Sequence, residues 1–117
     1  MKQVPVKPTV AIEDLDKLDI RVGTIQAVED VEASPKLVQL TVDFGEFTRN
    51  VLVGLKNERD DPTEVQGLQA LFVVNLPARA MAGRVSEGML FDIGHANGIR
   101  PVLAVPEAPV PDGAAAG

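Results

Sequence analysis

The sequence contains no cysteine, no tyrosine and no tryptophan, and phenylalanine occurs only four times among its 117 residues. Without cysteine the chain can form no disulfide, no thiolate metal site and no cysteine nucleophile. Few aromatic rings also leave few platforms on which single-stranded bases could stack. We therefore expect neither thiol chemistry nor a stacking surface for single strands.

Long hydrophobic runs are missing as well. No apolar segment approaches the roughly 20 residues of a membrane helix, and Met1–Thr9 lacks the apolar core of a signal peptide. Hydrophobic residues make up 45% of the chain and charged residues 24%, which is typical of a globular domain. We expect one cytoplasmic domain without membrane association.

Positive charge is scarce, because eleven lysines and arginines stand against seventeen acidic residues and give a net charge of −6. Domains that bind nucleic acid are usually basic, so binding through the overall field of this chain is disfavoured. Any RNA-binding surface would have to be a local patch of basic side chains.

Three strands are predicted in the first half of the chain. Asp19–Val28 has an apolar pattern that changes phase near Gly23, where we expect a bulge or a sharp bend. Leu37–Phe44 alternates apolar and polar residues, as a strand with one buried face does. Gly45 begins a tight connection to Phe47–Leu52, so the second and third strands should form a hairpin.

Two short helices are predicted. The first follows an extended arm, Met1–Thr9, and would be capped by Thr9. Its apolar residues, at helical spacing, are Ile12, Leu15 and Leu18. We expect this stripe to plug one end of the core. A second helix of one or two turns is predicted from Asp61 as N-cap, Pro62 at the first position and Gly67 as terminator.

The second half of the chain predicts a buried strand, a loop and two more strands. Leu71–Leu76 is apolar and rich in β-branched residues, and it indicates a core strand ending at Asn75. A loop then leads to a strand that opens at Gly88-Met89. This loop carries Arg79, Met81, Arg84 and Ser86. Asn97-Gly98 predicts a hairpin turn before Val102–Val105.

Five short strands with a helix between the third and fourth predict an all-β fold of the OB class, a five-stranded Greek-key barrel with a short N-terminal helix. We expect the arm at residues 1–9, the barrel at residues 10–108, and a tail at residues 109–117.

Three motifs resemble those of the tRNA-binding OB domain family. They are DIRVGTI at Asp19–Ile25, VNL at Val74–Leu76 and GRVSEGML at Gly83–Leu90, and the resemblance extends over Ile12–Gly113. Members of this family occur as free-standing dimers, as appendages of methionyl- and tyrosyl-tRNA synthetases, and as the export-related chaperone CsaA. The resemblance implies binding at the outside of the tRNA elbow, by shape rather than by sequence.

The candidate RNA-binding residues follow from the resemblance and from side-chain chemistry. Arginine can hold phosphate as a planar fork, serine can bond phosphate or a ribose hydroxyl, glycine admits close backbone approach, and methionine can pack on a base or sugar. The candidates are Lys36, Arg49, Asn75, Arg79, Met81, Arg84, Ser86, Gly88 and Met89.

Each candidate also has a structural alternative. Asn75 could cap the turn at the strand end, and Ser86 could satisfy local backbone groups. Met89 could belong to the core, while Lys36 and Arg49 could be solvated side chains. Arg21, in the first motif, is expected to be structural.

Catalysis finds little support in the sequence. His95 lies in a GHANG turn without a neighbouring carboxylate or nucleophile, and Ser86 has no evident base to activate it. We expect no enzyme activity, no cofactor and no metal.

Three functional hypotheses remain open. The first is a homodimeric module that binds tRNA or other structured RNA, with the N-terminal helix and the C-terminal segment as its interface. The second, implied by the chaperone branch, is the binding of unfolded or export-bound polypeptides in an apolar groove near Met81 and Met89, with Phe72 or Phe91. The third is an assembly module that docks onto an aminoacyl-tRNA synthetase.

Overall fold

The computed structural model describes residues 1–117, and most of its regular structure is antiparallel β-sheet. The strands are β1 (Ile20–Asp30), β2 (Val38–Asp43), β3 (Thr48–Val53), β4 (Gln69–Val73), β5 (Arg79–Met81), β6 (Arg84–Ser86), β7 (Met89–Leu90), β8 (Asp92–Ile93), β9 (Val102–Leu103) and β10 (Ala115–Ala116). The main sheet has the order β3-β2-β1-β4-β7 and wraps into a nearly closed barrel. The predicted fold, a five-stranded OB-like barrel, is confirmed.

The hairpin of β2 and β3 follows from the alternating sequence of β2. Val38, Leu40 and Val42 are buried while the residues between them are only partly buried. The two strands pair from Val38 opposite Val53 to Asp43 opposite Thr48. One face of this hairpin therefore supplies the barrel core, and the predicted pairing is confirmed.

Strand β1 serves both sides of the barrel. Its first half pairs with β4 and its second half with β2, and the register with β2 shifts between Ile25 and Ala27. We had expected the bulge at Gly23, but it lies three residues later, at Gln26. Gly23 is needed for a different reason: a Cβ there would lie 2.6 Å from Cγ1 of Val42 and 2.7 Å from Cε1 of Phe44.

The barrel closes between β3 and the segment Ser86-Glu87 at the end of β6. The Leu52 N–H donates to Oγ of Ser86 at 3.0 Å, and the Glu87 N–H donates to the Asn50 carbonyl at 2.8 Å. Inside, the rings of Phe44 and Phe72 meet edge to face with centroids 5.4 Å apart.

The N-terminal helix differs from its prediction. It is α1 (Ile12–Asp16), its N-cap is Ala11, and no side chain caps it, so the expected cap at Thr9 is wrong. Ile12, Leu15 and Leu18 are 64%, 48% and 42% exposed, so the stripe does not plug the core. The stripe instead borders an open apolar groove of about 550 Å³, which we call the α1 groove. Its apolar lining is Ile12, Leu15, Leu18, Ile20, Leu71, Phe91, Ala104 and Ala116.

The second short helix is confirmed as a single 3-10 turn, Pro62–Val65. Asp61 caps it, because its carboxylate accepts the Thr63 N–H at 3.0 Å, and Val65 is fully buried beneath the barrel. The expected hairpin turn at Asn97-Gly98 is wrong. Strands β8 and β9 do pair, but a longer connection from Gly94 to Pro101 joins them and contains a 3-10 turn, His95–Asn97.

Both termini contact the barrel. In the C-terminal segment, β10 pairs with Ile20 and Arg21, and Oγ1 of Thr24 donates to the Asp112 carboxylate at 2.6 Å. The N-terminal arm has no regular structure, and the Lys2 N–H donates to the Asn97 carbonyl at 2.9 Å. No helix in the structure has the length and apolar character needed to cross a membrane.

Candidate nucleic-acid interface

The segment predicted as a functional loop is a second hairpin. Strands β5 and β6 pair with Arg79 opposite Ser86, and the turn is formed by Ala82 and Gly83 with positive φ angles of 50° and 77°. Positive φ at both turn positions is the geometry that suits the twist of a two-residue hairpin. The side chains are therefore held on paired strands rather than on an irregular loop.

Between this hairpin, β3 and β7 lies a groove of about 160 Å³, which we call the hairpin groove. Its lining is Leu52, Val53, Leu76, Pro77, Arg79, Met81, Ser86, Gly88, Met89 and Leu90. Five of the nine predicted site residues thus meet in one depression. Most of the other lining side chains are apolar, and Arg79 supplies the only charge.

Ser86 and Gly88 form the floor of the hairpin groove and have structural duties there. Ser86 is 4% exposed, and its Oγ accepts the Leu52 N–H and donates to the Gly88 carbonyl at 3.2 Å. A Cβ on Gly88 would lie 3.0 Å from the Val73 carbonyl oxygen. Ser86 therefore bonds backbone groups, as its structural alternative predicts. Gly88 has no side chain and so allows the backbone of β4 to come close.

Arg84 does not join Arg79 in the groove. Its guanidinium pairs with the Glu29 carboxylate and donates to Oε1 of Gln39 at 3.3 Å. It lines a separate depression beside Asp30 and Glu32. The reason is its position next to the β5–β6 turn, which brings it against the acidic end of β1.

Arg49 and Asn75 are also engaged within the protein. The guanidinium of Arg49 lies 4.9 Å from the ring centroid of Phe47 and 3.8 Å from Glu87. Asn75 accepts the Asp19 N–H and donates to the Lys17 carbonyl, each at 2.8 Å. It therefore ties the end of α1 to the end of β4, which is a structural role related to the capping alternative.

The ion pairs show which basic side chains already have a carboxylate partner. Six pairs engage Lys17, Arg21, Arg49, Lys56, Arg59 and Arg84 with carboxylates. The basic residues that form none are Lys2, Lys7, Lys36, Arg79 and Arg100. Of the predicted site residues, only Lys36 and Arg79 are basic and unpaired. Sequence reasoning missed Arg100, because nothing in its local pattern distinguishes it.

Lys36 and Arg100 line a further depression, a polar cleft of about 820 Å³ between residues 54–60 and the connection from Gly94 to Pro101. Its lining is Lys36, Gly54, Lys56, Asn57, Glu58, Arg59, Asp60, Asp92, His95, Gly98, Ile99, Arg100 and Pro101. Burial, together with the charge and hydrogen bonding of Asp92, raises the pKa of the Glu58 carboxyl. Only one lining residue, Ile99, is apolar.

Comparison with known proteins agrees with the class that this architecture defines, a small OB-like barrel with an exposed groove beside its closing strands. The model of a family described as a putative tRNA binding domain matches residues 20–115. The chain belongs to this family.

Solved structures of similar proteins cover nearly the whole chain. The MetRS-related protein of Pyrococcus horikoshii has a TM-score of 0.85 and 28% identity, with 95% of this chain and 100% of that chain covered. The chaperone CsaA of Bacillus anthracis str. Ames has a TM-score of 0.81 and 28% identity, with 94% and 100% covered. The C-terminal domain of Plasmodium vivax p43 has a TM-score of 0.78 and 27% identity, with 87% and 61% covered.

Proposed function

We propose that this protein binds structured RNA, with tRNA as the ligand, non-catalytically and as a homodimer. The observation that carries the proposal is Arg79, an exposed arginine with no carboxylate partner at the edge of a groove in a member of a tRNA-binding family. The similarity to a MetRS-related protein supports the same ligand class.

The hairpin groove offers two kinds of contact to an RNA: a charged one to phosphate and apolar ones to ribose or base. Arg79 offers a planar fork of donors to one phosphate, and charge-assisted bonds of this kind are among the stronger ones. Met89, which is 43% exposed, and Met81 offer unbranched, polarizable side chains to a ribose or base. Ser86 and Gly88 contribute by fixing the shape of the floor. Recognition of this kind reads backbone and shape rather than sequence.

The homodimer part of the proposal rests on the α1 groove. Its exposed apolar side chains include Ile12, Leu15 and Leu18, and the C-terminal Ala116 lies at the same groove. Contiguous apolar surface of this kind is typical of protein interfaces. A two-fold pair would cover it and would present two hairpin grooves to one bent RNA.

A polypeptide-binding function is the second candidate, because Leu52, Val53, Leu76, Met81, Met89 and Leu90 make the hairpin groove largely apolar. Similarity to the CsaA chaperone favours the same reading. Phe72 cannot take part, since it is fully buried in the core, and Phe91 belongs to the α1 groove instead. Docking onto an aminoacyl-tRNA synthetase is compatible with either ligand.

A gel shift with bulk tRNA at two salt concentrations tests the proposal. We expect log K to fall by about 0.7–0.9 per phosphate contact for each tenfold rise in salt. Arg79→Ala should weaken binding by about tenfold or more, since a hydrogen bond to a charged group contributes roughly 1.5–3 kcal/mol. Lys7→Ala, which removes an unpaired cation from the N-terminal arm, is the matched control.

Two results would contradict the RNA proposal. One is the absence of any shift by the wild-type protein at low salt, and the other is equal affinity of Arg79→Ala and the wild type. Capture of an unfolded polypeptide that persists or strengthens at high salt, and that is lost in Met89→Asp, would favour the second candidate.

A further inference from the structure

The polar cleft lies outside the hairpin groove, and its lining has the chemistry of a phosphate site. We infer that it binds the sugar-phosphate backbone of the same RNA, with Lys36 and Arg100 as the phosphate contacts. This inference rests on the proposed function, because it extends the RNA footprint from one groove to two.

Unpaired positive charge is concentrated at this cleft. Lys36 and Arg100 both line it, and neither forms an ion pair. Lys2 lies beside it, because the backbone of Lys2 exchanges hydrogen bonds of 2.9 Å with Asn97, next to the lining residue Gly98. Three of the five unpaired cations therefore lie in or beside this cleft.

The cleft is lined by side chains of both charges. Four basic side chains, Lys36, Lys56, Arg59 and Arg100, line it together with three carboxylates, Glu58, Asp60 and Asp92. Lys56 and Arg59 are paired with Asp30 and Glu64, so the cations of the cleft without a carboxylate partner are Lys36 and Arg100. Burial and the neighbouring Asp92 raise the pKa of the Glu58 carboxyl.

The paired cations of the cleft hold its walls. Nζ of Lys56 pairs with Asp30 and donates to the carbonyls of Val31 at 3.1 Å and Ser34 at 2.8 Å. Arg59, only 16% exposed, pairs with Glu64 at 2.6 Å. The Lys56 contacts fix the loop that carries Lys36, and Nε of Arg100 donates to the Glu58 carbonyl at 2.5 Å, which holds Arg100 against the opposite wall of the cleft. The two unpaired side chains are thus presented from a braced frame, which lowers the entropy lost on binding.

The linings of the hairpin groove and the polar cleft are adjacent in the chain. Val53 lines the groove and Gly54, the next residue, lines the cleft, so their Cα atoms are about 3.8 Å apart. A Cβ at Gly54 would meet no atom within 4 Å, so the junction is open. On this proposal a bound RNA contacts Arg79 in the hairpin groove and Lys36 and Arg100 in the polar cleft.

The test measures tRNA affinity and its salt dependence for the full chain carrying Lys36→Ala and Arg100→Ala together. We expect affinity at low salt to fall by about tenfold. The salt dependence should also become shallower: the magnitude of the slope of log K against log salt should decrease by about 1.5–2, because each phosphate contact contributes close to one. Lys7→Ala is the control, since it removes an unpaired cation that lines neither depression. Urea denaturation of each variant verifies that the fold is intact.

The possible outcomes are distinct. A shallower salt dependence for the double variant, with a wild-type salt dependence for Lys7→Ala, supports the inference. If the double variant and Lys7→Ala lose the same tRNA affinity per charge removed, binding responds to the overall charge of the chain, and the inference is overturned. Wild-type affinity of the double variant alongside weakened Arg79→Ala would overturn the inference and leave the proposed function standing. A wild-type protein that fails to bind tRNA would overturn both.

Discussion

The hydroxyl of Ser86 accepts the backbone N–H of Leu52 at 3.0 Å, and this hydrogen bond joins the β5–β6 hairpin to β3 across the seam of the barrel. The two residues are 34 positions apart in the chain. Both are buried, so water cannot replace the hydroxyl if it is removed. The serine of the GRVSEGML motif therefore has a structural role in closing the barrel.

We expect Ser86→Ala to destabilise the protein by about 1–3 kcal/mol, because it leaves the Leu52 N–H buried without an acceptor. Urea denaturation measures the change. Val85→Ala is the control, since Val85 is 51% exposed on the same strand and should change stability by no more than about 0.5 kcal/mol. Equal stability of Ser86→Ala and the wild type would show that the seam does not depend on this hydroxyl.

The contrast between Ser86 and the β2–β3 hairpin shows what the sequence could reveal. The alternation of Val38, Leu40 and Val42 is a local pattern with a period of two, and it predicts a half-buried strand without knowledge of the partner. The contact between Ser86 and Leu52 depends on how distant segments meet. No local pattern encodes it, so a serine in a motif looked equally suited to RNA and to the backbone.

The same limit applies to charge and to amphipathic patterns. Arg79 and Arg84 are equivalent in sequence, but Arg84 meets Glu29, which lies 55 positions away. The stripe of α1 correctly predicts a helix with an apolar face, yet such a pattern is the same whether the face covers a core or awaits a partner. Only the folded chain separates these cases.

Gly23 offers a second stability prediction. We expect Gly23→Ala to destabilise the protein by about 1–3 kcal/mol, because the new Cβ would overlap Val42 and Phe44 in a packed core. Gly54→Ala is a matched control, since its Cβ would meet nothing within 4 Å. Thermal or urea unfolding measures both. If Gly23→Ala is as stable as Gly54→Ala, the side chains of Val42 and Phe44 can move to accommodate the added Cβ without loss of stability.

Asn75 allows a test that separates structure from RNA contact. We expect Asn75→Ala to cost about 0.5–1.5 kcal/mol for each of its two hydrogen bonds, to the Asp19 N–H and the Lys17 carbonyl. Affinity for tRNA should not change at temperatures where the variant is folded. Asn75→Asp keeps the acceptor for Asp19 and should lose less stability. A variant of full stability that binds tRNA more weakly would instead identify Asn75 as an RNA contact.

The dimer prediction concerns Leu15, which is 48% exposed on α1. We expect Leu15→Asp to leave the protomer folded and to shift the wild-type dimer to the mass of one 12.4 kDa chain, because a carboxylate in an apolar interface loses its hydration. Sedimentation measures the mass, and far-UV circular dichroism measures the fold. Val6→Asp, on the N-terminal arm, is the control. A wild-type protein that sediments as a single chain contradicts the dimer.

Glu58 gives a prediction for pH. Burial and the neighbouring Asp92 raise its pKa above the value of 4.5 found for a free side chain, although His95 and Arg59 oppose the shift. A raised pKa means that the folded state holds the proton more firmly than the unfolded state does. The stabilisation is therefore complete below about pH 4.5 and is lost as the pH rises through the folded-state pKa.

We expect Glu58→Gln to remove this loss, because glutamine is neutral at every pH and can still donate a hydrogen bond to Asp92. The free energy of unfolding of Glu58→Gln relative to the wild type should rise between pH 4 and pH 7 in urea titrations. Glu107→Gln, an exposed change outside the cleft, controls for the loss of one negative charge. If both variants differ from the wild type by the same amount at every pH, the pKa of Glu58 is not raised in the folded state.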